Sequence, residues 1–316
     1  MNIDLRETGT LSDASGIEAV ARSAFAEALH LLAEGVATVR DIDNVMRDAA
    51  GFALGPFELL LDRVNLDVLP ATPALADGRE EGGRELHASL LRARGGKPGN
   101  ALEERRLGRG SDDSLPARVW VAQAVPEWAD ATRKLVAASG VEVDNGQRPA
   151  PDALIVVTPL GQDASSLCAS QGLDPRRTVA IDCLFGMDRR RTVMLTPLTT
   201  AATHGAARRL FSRDGTPVTS ICDSAGLIAQ RIVAVMVNAA CNLAQQRDVG
   251  AADLDRAARL QLGYPIGPLS LGESIGAGRL LSILEAMLAF SGDPRYRPSP
   301  WLKRRALLGA SLTGAY

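Results

Sequence analysis

Side chains able to exchange a proton near neutral pH are scarce in this chain. Its histidines are His30, His87 and His204, and histidine is the side chain whose ordinary pKa lies in that range. His30 falls inside an apolar-periodic helical stretch and His87 inside a stretch rich in Gly, Arg and Glu, so neither is placed for catalysis. His204, near the start of a later helix, is better placed. No acidic residue stands three or four positions from it, so a surface or capping role is the expectation. Asp182 ends a predicted strand, a common functional position, and an aspartate there serves equally as a helix or turn cap. Arg189, Arg190 and Arg191 allow a local anion contact, but such a run reads first as a solvated loop. The four cysteines, Cys168, Cys183, Cys222 and Cys241, have no C-x-x-C spacing and no clustered histidine, so no metal site and no disulfide is expected.

The elements that must position these groups follow from periodicity. Ser15 and Glu18 fit a capping box ahead of a helix with apolar positions Ile17, Val20, Ala21, Ala24, Phe25, Ala28, Leu31 and Leu32. Gly35 ends it, Thr38 to Asp41 starts a short helix carrying Ile42, Val45 and Met46, and Gly55-Pro56 starts another. Residues 76–116 are rich in Gly, Arg and Glu, with only Leu86 to Ala93 helical, and read as a partly disordered linker. From Ala117, apolar runs at 118–123, 153–158, 178–183, 192–197 and 217–222 alternate with helical stretches at 127–138, 165–171 and 201–213, which predicts a small parallel α/β sheet. From Gly226 to Phe290 the pattern is helical again, with Leu227, Ile228, Ile232, Val235, Met236, Ala239 and Leu243 on one face.

Across its 316 residues the chain has 46% hydrophobic and 23% charged residues and a formal charge of −2, a composition suited to more than one globular core. With no net basic field to gather phosphates, neither nucleic acid nor an anionic membrane is expected as partner. The first residues carry no apolar stretch and no run reaches the length of a membrane span, so a cytoplasmic setting is expected.

One phrase occurs twice. GFALGPFEL runs from Gly51 to Leu59 and GYPIGPLSL from Gly263 to Leu271, and the leading glycines are 212 residues apart. DIDNVMRDAA precedes the first copy and DLDRAARLQL the second, each after an amphipathic helix. Two related helical units are therefore expected around a different middle. The expected boundaries are a first helical unit at 1–75, the linker at 76–116, an α/β domain at 117–223 and a second helical unit at 224–316.

These phrases, with the closing GDPRYRPSPWLKR at Gly292 to Arg304, resemble the helical C-terminal domain of 3-hydroxyacyl-CoA dehydrogenases. The resemblance implies a mixed α and α/β chain, in which two helical C-terminal-type units flank a small, degenerate Rossmann-like domain. It also implies that the N-terminal NAD-binding domain is missing, since the family's PGF-x-x-NR entry phrase lacks its Asn-Arg pair after Gly16. The family's hydride transfer uses a histidine base, a glutamate that orients it and an asparagine. By position Leu184 stands at the histidine, Met194 or Leu195 at the glutamate and Gln230 at the asparagine, so no catalytic residue is expected. The turn after the first strand is VAQAVPEW, Val121 to Trp128, with no glycine to admit a pyrophosphate, so no cofactor is expected although the family uses NAD. Asn238, Glu58 and Arg231 match family positions that could orient an acyl-CoA. The resemblance implies an accessory role in acyl-CoA oxidation, as a homodimer or paired with a complete dehydrogenase through the helical units. An active NAD-dependent oxidoreductase with displaced groups and a CoA-thioester binding module are the alternatives.

Overall fold

The structure is a computed structural model, and it describes residues 11–63, 114–123, 125–246 and 250–314. The expected linker, up to residue 113, with its helix Leu86 to Ala93 and His87, lies outside the described residues. The chain divides into two compact units, one running Ala28–Gln230 and the other combining the chain up to Glu27 with Arg231–Tyr316.

The Ala28–Gln230 unit is built on a six-stranded sheet of order β2-β1-β3-β4-β5-β6. Its strands are β1 (Arg118–Val121), β2 (Glu142–Asp144), β3 (Leu154–Val157), β4 (Thr178–Ile181), β5 (Arg191–Leu195) and β6 (Val218–Cys222). The helices on it are α4 (Pro126–Ala138), α5 (Ala164–Gln171) and α6 (Ala201–Phe211), while α1 (Leu11–Ala33), α2 (Val39–Asn44) and α3 (Pro56–Arg63) precede the sheet in the chain. β3 and β4 are buried at every residue, which is why they read as unbroken apolar runs. Alternate residues Val119 and Val121, Leu154 and Val156, Val179 and Ile181 join Trp128, Ala129 and Val136 of α4 and Leu210 and Phe211 of α6 in one core.

The sheet is parallel except at one junction, β4 against β5. Only residues 182–190 join those strands, too few for the crossover a parallel pair needs, so the chain returns antiparallel. Between β5 and β6 there is room for α6, and that pair is parallel. β2 was not evident in the sequence because it is three residues long and half exposed.

The arginine run is solvated only at its start, where Arg189 is exposed. Arg191, buried in β5, forms a two-pronged ion pair with Asp214 and donates to the Met187 and Phe211 carbonyls. Arg190 pairs with Asp48 and donates to Thr219 Oγ1, and Arg189 donates to the Ala49 carbonyl. For Arg190 and Arg191 the anion contact is thus made by the chain's own Asp48 and Asp214, while Arg189 is exposed and meets a carbonyl. α1 also begins earlier than the capping box implied, at Leu11, so Ser15 lies inside the helix.

The doubled phrase has a physical meaning that each unit displays separately. In the Ala28–Gln230 unit, α2 continues as a π turn at Val45–Ala49, and the third residue of the DID lead-in, Asp43, accepts the Phe57 N–H at 2.9 Å. Asp43 thereby caps α3, whose first residue is Pro56. In the other unit, α8 (Ala251–Leu262) carries the third residue of DLD, Asp255, which accepts the Leu269 and Ser270 N–H groups, both at 2.8 Å. Those groups open α9 (Pro268–Ile275). In each copy the glycine of Gly-Pro passes so close to the aspartate that a Cβ would collide with it. The phrase therefore specifies a buried carboxylate, a close backbone approach and a proline-started helix.

The second unit is completed by α7 (Ile228–Gln246), α10 (Ala277–Ser291) and α11 (Pro300–Leu308), together with the part of α1 up to Glu27. Every residue from Leu227 to Asn238 is buried, so α7 is a central helix with no solvent face over three turns. No single helix among the described residues is long and apolar enough to cross a membrane.

Candidate functional site

In open α/β sheets ligands meet the carboxyl ends of the strands, and there the chain gathers three polar side chains. Thr158 follows β3, Asp182 follows β4, and Gln230 comes from the first turn of α7. Gln230 Oε1 accepts the Gly161 N–H at 2.8 Å, which fixes the amide's orientation. Its Nε2 then donates to the Pro159 carbonyl and to Asp182 Oδ1, each at 3.0 Å. Both amide protons and the amide oxygen are thus engaged within the protein. Asp182 Oδ1 also accepts the Leu184 N–H at 3.0 Å. Burial pushes the Asp182 pKa up, and the bonds from Leu184 and Gln230 oppose it only in part. Thr158 Oγ1, fully buried, has no hydrogen-bond partner among the described residues.

The residue that meets Gln230 is therefore Asp182 and not Leu184, which is half-buried against the sheet core. Met194 is fully buried in β5. A carboxyl held toward its neutral form beside an amide can donate one hydrogen bond. The same upward shift makes its carboxylate a stronger base than an exposed one.

The residues expected to orient an acyl-CoA each make internal contacts, and they are not brought together. Asn238 donates to the Arg297 carbonyl and accepts the Ser299 N–H, tying α7 to the start of α11. Arg231 is buried against Glu27 and Tyr296. Glu58 lies in the other unit, where it pairs with Arg47 and accepts the Gly55 N–H. His204 is buried, with its Nε2 2.8 Å from Ser220 Oγ, which ties α6 to β6. Although a histidine and serine in contact suggest a nucleophile, both are buried within the α6–β6 layer and read as a structural pair.

The turn between β1 and α4 does not suit a dinucleotide. It holds no glycine, α4 starts with Pro126, which lacks an N–H, and Glu127 puts a negative charge in the first turn. Arg133 donates to the Val121 carbonyl and covers the end of β1. The other helix starts on the sheet are occupied by the chain itself. Asp163 caps α5, Asp223 accepts the Ala164 and Ser165 N–H groups, and Thr200 caps α6. One nucleotide feature does persist. Asp144 closes β2, where such folds place a ribose-binding carboxylate, but its oxygens accept the Gly146 and Ala150 N–H groups. Sequence reasoning missed Asp144 because it missed β2.

The sequence profile described as 3-hydroxyacyl-CoA dehydrogenase, C-terminal domain, matches residues 17–97 and 226–312, on both sides of the sheet. The chain belongs to the 3-hydroxyacyl-CoA dehydrogenase family. It is 30% identical over 298 residues to the 3-hydroxyadipyl-CoA dehydrogenase of Escherichia coli (strain K12), a match that covers 92% of this chain and 59% of that protein. The chain thus spans less than two thirds of that relative. The probable 3-hydroxybutyryl-CoA dehydrogenase of Bacillus subtilis (strain 168) is 29% identical over 100 residues, 32% of this chain and 35% of that protein. Among solved structures, a 3-hydroxybutyryl-CoA dehydrogenase from Escherichia coli K12 superposes with a TM-score of 0.60 at 24% identity, over 92% of this chain and 58% of that one. That likeness is one of fold.

Asp182 and Gln230 share a hydrogen bond at the end of β4, Thr158 Oγ1 after β3 has no partner among the described residues, and α4 opens on Val125 and Pro126 with no glycine before it. The described residues hold no group of three or more His, Cys, Asp and Glu arranged to bind a metal.

Proposed function

We propose that this chain takes part in acyl-CoA metabolism of the fatty-acid oxidation type as a catalytically incomplete, accessory member of its family. It pairs through its helical units, with itself or with a complete dehydrogenase, and binds no NAD of its own. The observation that carries this reading is the Gln230 amide, whose hydrogen-bonding groups are all spent on Gly161, Pro159 and Asp182. A substrate carbonyl would have to displace those bonds to reach the amide. Purified protein assayed with 3-hydroxybutyryl-CoA and NAD is expected to give no turnover, and calorimetry no heat of binding at millimolar NAD. Turnover at an ordinary enzyme rate defeats the proposal. Co-purification tests the partner, since a complete dehydrogenase is expected to accompany the chain and to carry the activity.

A second reading, a binding module for CoA thioesters, is favoured by the buried Thr158 hydroxyl, which has no hydrogen-bond partner among the described residues. It predicts thermal stabilisation by acetoacetyl-CoA and none by NAD.

A further inference from the structure

α11 ends at Gly309, whose left-handed backbone, with φ at +64°, turns the chain back on itself. Of the residues 310–314 that follow, only Leu312 is buried, with no exposed surface, while Ala310, Ser311 and Thr313 are exposed. One side chain anchors the segment.

Leu312 fills a socket shaped for it. A Cβ added to Gly272 of α9 would stand 2.8 Å from Leu312 Cδ1, 2.7 Å from Val237 Cγ1 of α7 and 3.3 Å from Leu280 Cδ1 of α10. Glycine at 272 therefore leaves the space into which the leucine reaches.

The main chain around that leucine is read as well. Glu273 Oε2 accepts the Leu312 N–H at 2.6 Å, and Trp301 Nε1–H donates to the Leu312 carbonyl at 3.2 Å. Arg305, its guanidinium carbon 3.3 Å from the centroid of the Trp301 ring, donates to the Ser311 carbonyl at 2.8 Å and the Gly314 carbonyl at 3.3 Å. Within the segment, Ser311 Oγ accepts the Thr313 N–H at 3.1 Å and closes a serine turn around the leucine. Side chains of α9 and α11 thus spend four hydrogen bonds on the main chain of a segment that buries one side chain. Main-chain hydrogen bonds for affinity, with a pocket for one side chain as the selector, are how proteins hold peptide ligands.

We propose that the Leu312 socket, with Glu273, Trp301 and Arg305 around it, is a peptide-binding site that the chain fills with its own Ser311–Leu312–Thr313 turn, and that this turn detaches to admit a leucine-centred turn of another protein. Tethered through Gly309, the resident turn acts at an effective concentration on the order of millimolar, so weaker ligands are shut out until it leaves. The site needs neither NAD nor an acyl-CoA, so the inference stands or falls separately from the proposed function.

The test uses the full chain with Leu312→Asp, which expels the turn from an apolar socket. The probe is a capped peptide, Gly-Ala-Ser-Leu-Thr-Gly, with the sequence of residues 309–314. At about ten times its Kd the peptide is expected to raise the melting temperature of the variant by about 3 °C and to leave the wild type, whose socket is filled, unchanged. A peptide with alanine for leucine should not bind. One with N-methyl-leucine, which cannot donate to Glu273, should bind about tenfold more weakly. No stabilisation of the variant at millimolar peptide, equal stabilisation by the alanine form, or equal stabilisation of the wild type overturns the proposal. Should Leu312→Asp fail to fold, hydrogen exchange on the wild type decides. The Leu312 amide is expected to exchange at least about tenfold faster than the Leu284 amide inside α10, through local release of the turn. Equal protection of the two amides overturns the proposal.

Discussion

Gly267 lies against Asp255 so closely that a Cβ on the glycine would stand about 2.5 Å from the Asp255 Cα. The approach lets one carboxylate reach two N–H groups at the start of α9. Gly267→Ala should therefore separate α8 from α9 and weaken both bonds, at about 3 kcal/mol, the upper end of the usual range for an overfilled core. Urea unfolding measures it. Asp255→Asn, which keeps one acceptor oxygen and needs no extra room, should cost less, about 1 kcal/mol in the range of a lost cap. If the alanine variant proves the milder of the two, the close approach is not what demands glycine.

The other copy of this device carries a pH dependence. Asp43 accepts the helix N–H of Phe57, while the Glu58 carboxylate stands close by. Burial is the main cause that raises the Asp43 pKa to about 7, with Glu58 adding to it and the Phe57 N–H and Arg47 opposing. In the unfolded chain the group titrates near 3.8. Between those values the folded state holds the extra proton, so stability is full below the unfolded pKa and is lost as pH rises toward 7. Asp43→Asn should remove that loss and stabilise the protein at pH 8 by up to about 4 kcal/mol. Melting temperatures of wild type and variant across pH 4 to 8 provide the check, and parallel curves would reject the assignment.

Gln230→Ala should leave the Gly161 N–H, the Pro159 carbonyl and Asp182 without their shared partner. Each buried polar group so abandoned costs roughly 1–3 kcal/mol, though the costs do not simply add. A loss of about 3 kcal/mol in chemical unfolding is expected. Gln230→Glu should also destabilise near neutral pH, because a second carboxylate would then face Asp182 in a buried setting, and the loss should shrink on acidification.

The sequence made legible whatever repeats locally. Apolar runs at Leu154 and Thr178 marked buried strands, and the spacing of Asp43 and Asp255 before Gly-Pro marked two equivalent helical turns. It hid what depends on distant partners. The Arg189–Arg191 run resembled a solvated loop because Asp48 and Asp214 lie far away in the chain. The antiparallel turn of β5 followed from the length of its connection to β4, which periodicity does not weigh. At the candidate site, position pointed to Leu184, whereas the end of β4 and the reach of Gln230 selected Asp182. Glu27 and Arg231 are 204 residues apart, and nothing in either neighbourhood announces the pair.

Supplying a base alone should not create a dehydrogenase. Asp182→His places an imidazole beside Gln230, and Leu184→His places one where position in the sequence had pointed. In both variants the β1–α4 turn still lacks glycine, still begins its helix with Pro126 and Glu127, and still carries Arg133 over the Val121 carbonyl. A hydride has no acceptor unless the cofactor is bound, whatever the basicity of the site. Neither variant should reduce NAD in the presence of 3-hydroxybutyryl-CoA, and neither should bind NAD by calorimetry. Asp182→His should also lose stability relative to wild type, because the ring cannot reproduce the bonds from the Leu184 N–H and the Gln230 amide at one carboxylate oxygen. NAD reduction by either variant would place the missing chemistry at a single residue, and the case against the β1–α4 turn would fail with it.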